Sequence, residues 1–228
     1  MITSSVTTCH LIAALSAVLA CEIYAAPFLT TTFMLPKIST ILAIRIIEIA
    51  LMTAINIILN NLKPQHIKHR TDDIKHLIKG IKLGLVWSLC FGLAALIGGV
   101  VILFITKTNP VLLFKSDLVL EIKEQGAFEL AIFLFTGCII SPFAEELFFR
   151  GFIYSFARKY GFLTAITTST LIFTLCHIPH SSTIPIIPLI GGVVFGLSYE
   201  HSKSLSAPII IHSFGNSAIF ILSMLSIR

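Results

Sequence analysis

The composition of this 228-residue chain is that of a membrane protein. Hydrophobic residues make up 56% of it and charged residues only 12%, whereas roughly a quarter of the residues in a soluble domain are charged. The net charge of +5 does not indicate nucleic-acid binding, because the basic residues lie in connectors and form no stripe with interleaved aromatic residues. We therefore expect an all-α integral membrane protein, a polytopic bundle of about seven transmembrane helices.

The first apolar segment, residues 9–32, fits either a retained span or a cleaved signal peptide. No Lys or Arg precedes it, although a signal peptide carries such charges there, so we interpret it as a retained span. The second span, residues 38–60, contains Arg45 and Glu48. Their three-residue spacing predicts an ion pair on one helix face; contact of Arg45 with a substrate is the alternative.

A basic connector, residues 61–82, separates the second span from the third. Its six positive charges are Lys63, Lys68, Arg70, Lys75, Lys79 and Lys82. Such connectors are retained in the cytoplasm, so we place this one there.

The third span, residues 83–105, begins on the cytoplasmic side. Trp87 lies near that end, as expected of an interfacial aromatic residue. Four glycines favour close helix contacts: Gly84, Gly92, Gly98 and Gly99. The next connector, residues 107–125, predicts a short surface helix or strand on the outside.

The segment from Gly126 to Tyr160 is too long for one perpendicular span, and Pro142 interrupts it. Proline lacks a backbone N–H, so we expect a kink and a free carbonyl that suits a hydrated pocket. Three ionisable residues follow in this apolar stretch: Glu145, Glu146 and Arg150. Ionised groups are costly in hydrocarbon, so they indicate a functional site.

The two carboxylates are expected to differ in role. Glu146 and Arg150 are four residues apart with the acid first, which is the favourable order for an ion pair. Glu145 lies about 100° round the helix from Glu146. It is therefore free to accept a proton from water.

Three further spans complete the bundle. Residues 162–178 carry Phe173 and His177, and residues 184–199 form a short glycine-containing span. The last span begins near residue 207 and carries two more polar side chains, His212 and Asn216, four residues apart on one face.

Counting residues from the cytoplasmic ends gives the depth of each polar group. At 1.5 Å per residue, Glu145 and His177 both lie about 20 Å from the inner surface, so they can meet. By the same count His212 lies only about 13 Å deep. Either the connector 199–206 dips into the membrane, or the cavity is funnel-shaped.

These residues form three motifs in a fixed order, Glu145-Glu146-xxx-Arg150, Phe173-xxx-His177 and His212-xxx-Asn216. Their order and spacing resemble those of the CAAX-protease and bacteriocin-processing family of intramembrane glutamic-type endopeptidases. The resemblance covers residues 126–228 and implies that they form the catalytic core. Residues 1–125, including the basic loop 61–82, would then supply the remaining spans of one continuous membrane domain.

The resemblance implies an intramembrane endopeptidase. Peptide hydrolysis needs a base that activates water, a group that stabilises the oxyanion and a proton for the leaving amine. We expect Glu145, assisted by His177, to deprotonate the water, and His212 and Asn216 to polarise the scissile carbonyl. Structural support would come from Glu146, Arg150 and Phe173.

A zinc site is the alternative for the same residues. Glu145, His177 and His212 make a plausible zinc triad with an open fourth position for water, and the family was long described as metalloproteases. We favour catalysis without a metal or other cofactor, because the chain lacks the HExxH arrangement, in which one helix supplies two ligands and the base.

Two further interpretations stay open. The polar residues could serve only as hydrogen-bonding contacts between helices. A non-proteolytic protein, such as a transporter, an immunity protein or a scaffold protein, could use the same cavity for binding. Transporters often show two related halves, whereas no internal repeat is visible here.

The family includes enzymes that trim prenylated CaaX proteins and bacterial members that process peptides or membrane proteins. A cavity within the lipid bilayer favours a membrane-associated protein or peptide as the substrate, since such a molecule arrives by lateral diffusion. The small size and short loops resemble a bacterial member in the plasma (inner) membrane. The sequence gives no indication of the substrate's identity or of the oligomeric state.

Overall fold

The computed structural model describes residues 6–34, 36–61, 70–107, 117–178 and 186–226. Eight helices account for most of these residues: α1 (Thr8–Thr32), α2 (Lys37–Asn61), α3 (Arg70–Thr106), α4 (Asp117–Gln125), α5 (Ala127–Tyr160), α6 (Phe162–His177), α7 (Ile186–Ser202) and α8 (Ser206–Ser226). Helices are expected because an apolar segment in a bilayer must satisfy its backbone groups internally.

Five of the described helices, α1, α2, α3, α5 and α8, are long and apolar enough to cross a membrane. Helix α6 is apolar but shorter. The chain is therefore an all-α, multi-pass integral membrane protein, as the composition predicts. The count of seven spans stays a prediction.

The connectors differ from expectation in one place. Helix α3 begins at Arg70, so residues 70–82 are helical although the sequence analysis places them in a loop; residues 62–69 of that loop lie outside the described residues. The helix extends this far because the imidazole of His76 bonds to the Ser202 carbonyl oxygen at 3.2 Å, and Lys79 donates to that of His201 at 2.7 Å. The surface element in residues 107–125 is the helix α4 over its described part.

Helix α5 passes through Pro142 without ending, because its backbone changes register there. A π-helical turn covers Thr136–Ile140, and the N–H of Ser141 bonds to the carbonyl of Thr136. In that register the Gly137 carbonyl would need the N–H of Pro142, which proline lacks. The side chain of Asn216 on α8 donates to this carbonyl instead, at 2.8 Å.

Small residues set the contacts between helices in two places. A Cβ atom added at Gly192 of α7 would lie 2.8 Å from Thr170 on α6, and one at Gly84 of α3 would lie 2.9 Å from Ile210 on α8. The prediction of close contacts is wrong for Gly92 and Gly98, since nothing lies within 4 Å of a Cβ built at either position.

The hydrophobic core joins both halves of the described chain. Ala14 of α1 and Met52 of α2 are buried in the same cluster as Phe149, Phe173 and Phe195 of the C-terminal helices. The N-terminal helices therefore pack directly against the polar motif in α5.

Candidate active site

Three of the polar side chains meet at one point between α5, α6 and α8. Oε2 of Glu145 lies 4.0 Å from Nε2 of His177 and 3.9 Å from Nε2 of His212. This oxygen is buried and makes no hydrogen bond with any described residue. The Glu145 side chain as a whole is 20% exposed and that of His177 is 32% exposed, so the point is reachable from outside.

Hydrogen bonds at the opposite ring nitrogens fix the orientation of both imidazoles. Nδ1 of His177 donates to the carbonyl oxygen of Phe173 at 2.7 Å, since a carbonyl can only accept. Nδ1 of His212 donates to Oε1 of Glu146 at 2.9 Å. A neutral imidazole protonated at Nδ1 carries its lone pair at Nε2. When neutral, both rings thus present an Nε2 lone pair towards Glu145, and a ring that binds a second proton at Nε2 becomes a donor there.

Glu146 is the centre of a second, closed cluster. Its Oε1 accepts from Nη1 of Arg150 at 3.0 Å as well as from His212, and the side chains of Glu146 and Arg150 are fully buried. Nη2 of Arg150 donates to the carbonyl of Gly192 at 3.0 Å. Oε1 of Glu146 therefore joins Arg150 to the imidazole of His212, the ring that faces Glu145.

Aromatic rings enclose the guanidinium group. Its Cζ lies 5.9 Å from the ring centroid of Phe149, 5.0 Å from that of Phe173 and 5.2 Å from that of Phe195, within the range of cation–π attraction. Phe195 also stacks on His212, with centroids 4.6 Å apart and planes 17° apart. These rings exclude water from the Glu146 cluster and restrict rotation of His212.

Asn216 lies one turn beyond His212 on α8 and bonds to Gly137, as described above. One of its two amide N–H groups is therefore committed to the backbone of α5. The structure thus joins Asn216 to the helix that carries Glu145.

A third polar cluster lies on α1 and α2. Nη1 of Arg45 bonds to Oε2 of Glu48 at 2.6 Å, as their spacing predicts, and Nη2 lies 3.4 Å from Oε1 of Glu22. The helix α2 packs against the segment of α5 that carries Glu145. The N-terminal helices therefore contribute charged groups to the surroundings of the site.

His212 and Glu145 lie at similar depths, although the count from the sequence placed them apart, because Nε2 of His212 is 3.9 Å from Oε2 of Glu145. The count from the sequence assumed an α-helical rise throughout α5, whereas residues Leu147–Tyr154 form a π-helical turn. A π-helix has more residues per turn and advances less per residue. Glu145 therefore lies less deep, relative to Arg158, than a count of 1.5 Å per residue gives, which accounts for part of the difference of about 6–7 Å between the two counts.

Several residues of the site were not found from the sequence. Phe195 and the Gly192 carbonyl contact the cluster from α7, and the Gly137 carbonyl does so from α5. The two adjacent glycines in α7 indicated close packing, but a backbone acceptor has no signature in sequence. The stacking of Phe195 on His212 depends on how α7 is rotated against α8, which periodicity does not determine.

The donor atoms facing Glu145 belong to the types that bind zinc. However, the described residues contain no group of three His, Cys, Asp or Glu side chains arranged to hold a metal ion. We therefore derive no catalytic step through a metal.

Comparison with known proteins supports the family resemblance that the three motifs indicate. Residues 127–218 match the sequence family described as Type II CAAX prenyl endopeptidase Rce1-like. The predicted resemblance to the CAAX protease family is confirmed for this segment. The matched residues span α5 to most of α8 and include all the residues assigned to the site from the sequence.

One curated relative is the membrane-embedded CAAX protease MroQ of Staphylococcus aureus (strain USA300). It is 36% identical over 107 residues, which are 43% of this chain and 42% of the relative. The chain thus matches less than half the length of that CAAX protease. No solved structure matches the chain.

Proposed function

We propose that this protein is an intramembrane endopeptidase that hydrolyses a peptide bond in a membrane-associated protein or peptide. The observation that carries the proposal is the buried Oε2 of Glu145, which has no hydrogen-bond partner among the described residues and faces the Nε2 atoms of His177 and His212. Both the CAAX-family match and the relative's name agree with it.

In the proposed mechanism, Glu145 is the general base. A separation of about 4 Å is too long for a direct hydrogen bond but suits a bridging water molecule. Glu145 takes a proton from this water while the Nε2 lone pair of His177 orients it, and the hydroxide attacks the scissile carbonyl carbon. The proton then passes from Glu145 to the leaving amine as the C–N bond breaks.

His212 would stabilise the oxyanion. In its protonated form, Nε2 donates to the developing negative charge, and Glu146 stabilises the imidazolium through Nδ1. The second amide N–H of Asn216 is available as a further donor. Arg150 holds the Glu146 carboxylate in place, and Phe173 packs between Arg150 and the two imidazoles.

We place the catalytic core in residues 126–228. Residues 1–125 complete the membrane domain, because α1 and α2 pack against the part of the core that carries Glu145. A site formed between apolar helices would receive its substrate laterally from the bilayer, and the proposed location is the bacterial plasma membrane.

The test compares protein termini in cells that carry the wild-type chain or Glu145→Gln at equal abundance. New N- and C-termini of membrane proteins and secreted peptides should appear with the wild type and be lost with the variant. Glu129→Gln, on the same helix, is the matched control and should keep them. Equal termini with the wild type and Glu145→Gln would reject the proposal in favour of a binding or transport protein.

Metal dependence needs a separate measurement. Glu145, His177 and His212 are the residues that would hold zinc if the enzyme required it. We propose that none is required, so elemental analysis of active purified protein should find no stoichiometric metal. A stoichiometric metal that is lost together with the activity would contradict this.

A further inference from the structure

The cytoplasmic half of α3 carries a stripe of residues that the proposed function does not use. The lysine stripe consists of Lys75, Ile78, Lys79, Lys82, Leu83 and Val86, which line a shallow groove of about 480 Å³. Their spacing of three and four residues places them on one face of the helix. The three lysines are exposed.

Among the side chains that the structure describes, the lysines of the stripe have no acidic partner. No ion pair among the described side chains involves Lys75, Lys79 or Lys82. Lys79 bonds to a backbone carbonyl, that of His201, which leaves its charge uncompensated. By contrast, Arg158 and Lys203 at the same end of the bundle both pair with Glu200. Residues 70–82 carry four basic residues, Arg70 and the three lysines, against only two acids, Asp72 and Asp73, so this end of α3 has a net charge of +2.

The stripe crosses the boundary of the membrane. No charged residue occurs between Leu83 and Thr106, and the apolar side chains along this stretch are largely exposed, as expected of a lipid-facing helix. Lys82 therefore marks the level of the lipid headgroups. Lysine side chains at this level extend towards the headgroups while their methylene groups cover apolar surface, and Val86 lies about one turn deeper.

We propose that the lysine stripe binds an anionic phospholipid of the cytoplasmic leaflet. Its phosphate would lie among Lys75, Lys79 and Lys82, and one acyl chain would follow Leu83 and Val86. Charge complementarity selects this occupant, because basic pockets at the cytoplasmic ends of transmembrane helices attract anionic headgroups. A zwitterionic lipid would bring no net charge to balance three lysines.

The single tryptophan of the chain provides a direct test. Trp87 follows Val86, the deepest residue of the groove, and is half-buried against the core, so an acyl chain in the groove passes beside it. The full-length protein is reconstituted in vesicles of equal phosphatidylglycerol and phosphatidylcholine, with brominated acyl chains on one lipid or on the other. Membrane composition is identical in both samples, so only the position of the quencher differs.

Brominated phosphatidylglycerol should quench Trp87 more strongly in the wild type. The relative association constant should favour it about fivefold or more, which is roughly the contribution of one lysine near an anionic surface. Equal quenching by the two brominated lipids would overturn the proposal. So would a preference that inorganic phosphate abolishes at constant ionic strength, because the stripe would then bind free anions.

Substitutions of the lysines test whether they cause the preference for phosphatidylglycerol. The triple variant K75Q/K79Q/K82Q should lose it, whereas K75R/K79R/K82R, which keeps the charge, and Lys107→Gln, at the opposite end of α3, should retain it. If the triple glutamine variant does not fold, K75Q/K82Q preserves the bond from Lys79 to His201 and should still weaken the preference. An undiminished preference in a folded glutamine variant would overturn the assignment.

Discussion

Arg45 and Arg150 both lie in the interior of apolar helices, and their surroundings differ. Arg150 is fully buried between one carboxylate, one backbone carbonyl and three phenylalanine rings. Arg45 is 26% exposed and forms ion pairs with both the buried Glu48 and the half-exposed Glu22. Arg150 is therefore a fixed part of the site, whereas Arg45, at the margin of the site, can alternate between two carboxylates.

The largest expected effect is that of Arg150→Met. It leaves Glu146 buried without its cation, and such a loss typically costs about 3–5 kcal/mol of stability. The free energy of unfolding in detergent micelles measures it. Arg45→Met also removes the cation of a buried carboxylate, Glu48, but should cost less, about 1–3 kcal/mol, because the 26% exposure of Arg45 lets water reach Glu48. Equal losses in the two variants would remove the distinction between the arginines.

A double variant separates the two causes of that loss. In E146Q/R150M neither charge remains, so the protein should recover at least about 1 kcal/mol relative to Arg150→Met alone. The same unfolding measurement decides this. A double variant no more stable than Arg150→Met would show that the loss comes from the missing guanidinium contacts with the rings and not from the unpaired charge of Glu146.

The bond between α8 and α5 should contribute an intermediate amount. Asn216→Ala leaves the Gly137 carbonyl without a donor, at a cost of about 1–3 kcal/mol. Adding Pro142→Ala restores a backbone N–H in the π-helical register, so P142A/N216A should regain part of the loss. Without any recovery, the account of the Gly137 carbonyl as the acceptor left free by proline would be wrong.

The smallest effect is expected at Glu22. Its side chain is 49% exposed and lies 3.4 Å from Arg45, and exposed ion pairs contribute about 0–1 kcal/mol. Glu22→Gln should therefore change the free energy of unfolding by less than about 1 kcal/mol. A larger loss would show that Arg45 is held as firmly as Arg150.

The contacts that could be predicted from the sequence join residues close together in the chain. The Glu146–Arg150 and Arg45–Glu48 pairs follow from helical geometry, and the apolar composition predicts the membrane class. The bond from His212 to Glu146 joins residues 66 positions apart and depends on how α8 is rotated against α5. The π-helical turns shorten α5 without altering its apolar pattern, which is one reason why the depth count placed His212 and Glu145 at different levels.

The central claim is that the adjacent carboxylates divide catalysis and structure between them. Once a substrate terminus is known, its cleavage rate and the free energy of unfolding should be measured for Glu145→Gln and Glu146→Gln at equal membrane abundance. Glu145→Gln should lower the rate at least about 100-fold with little change in stability. Glu146→Gln should destabilise the protein, because Arg150 stays buried with its charge unpaired. Cleavage at the wild-type rate by Glu145→Gln would contradict the account.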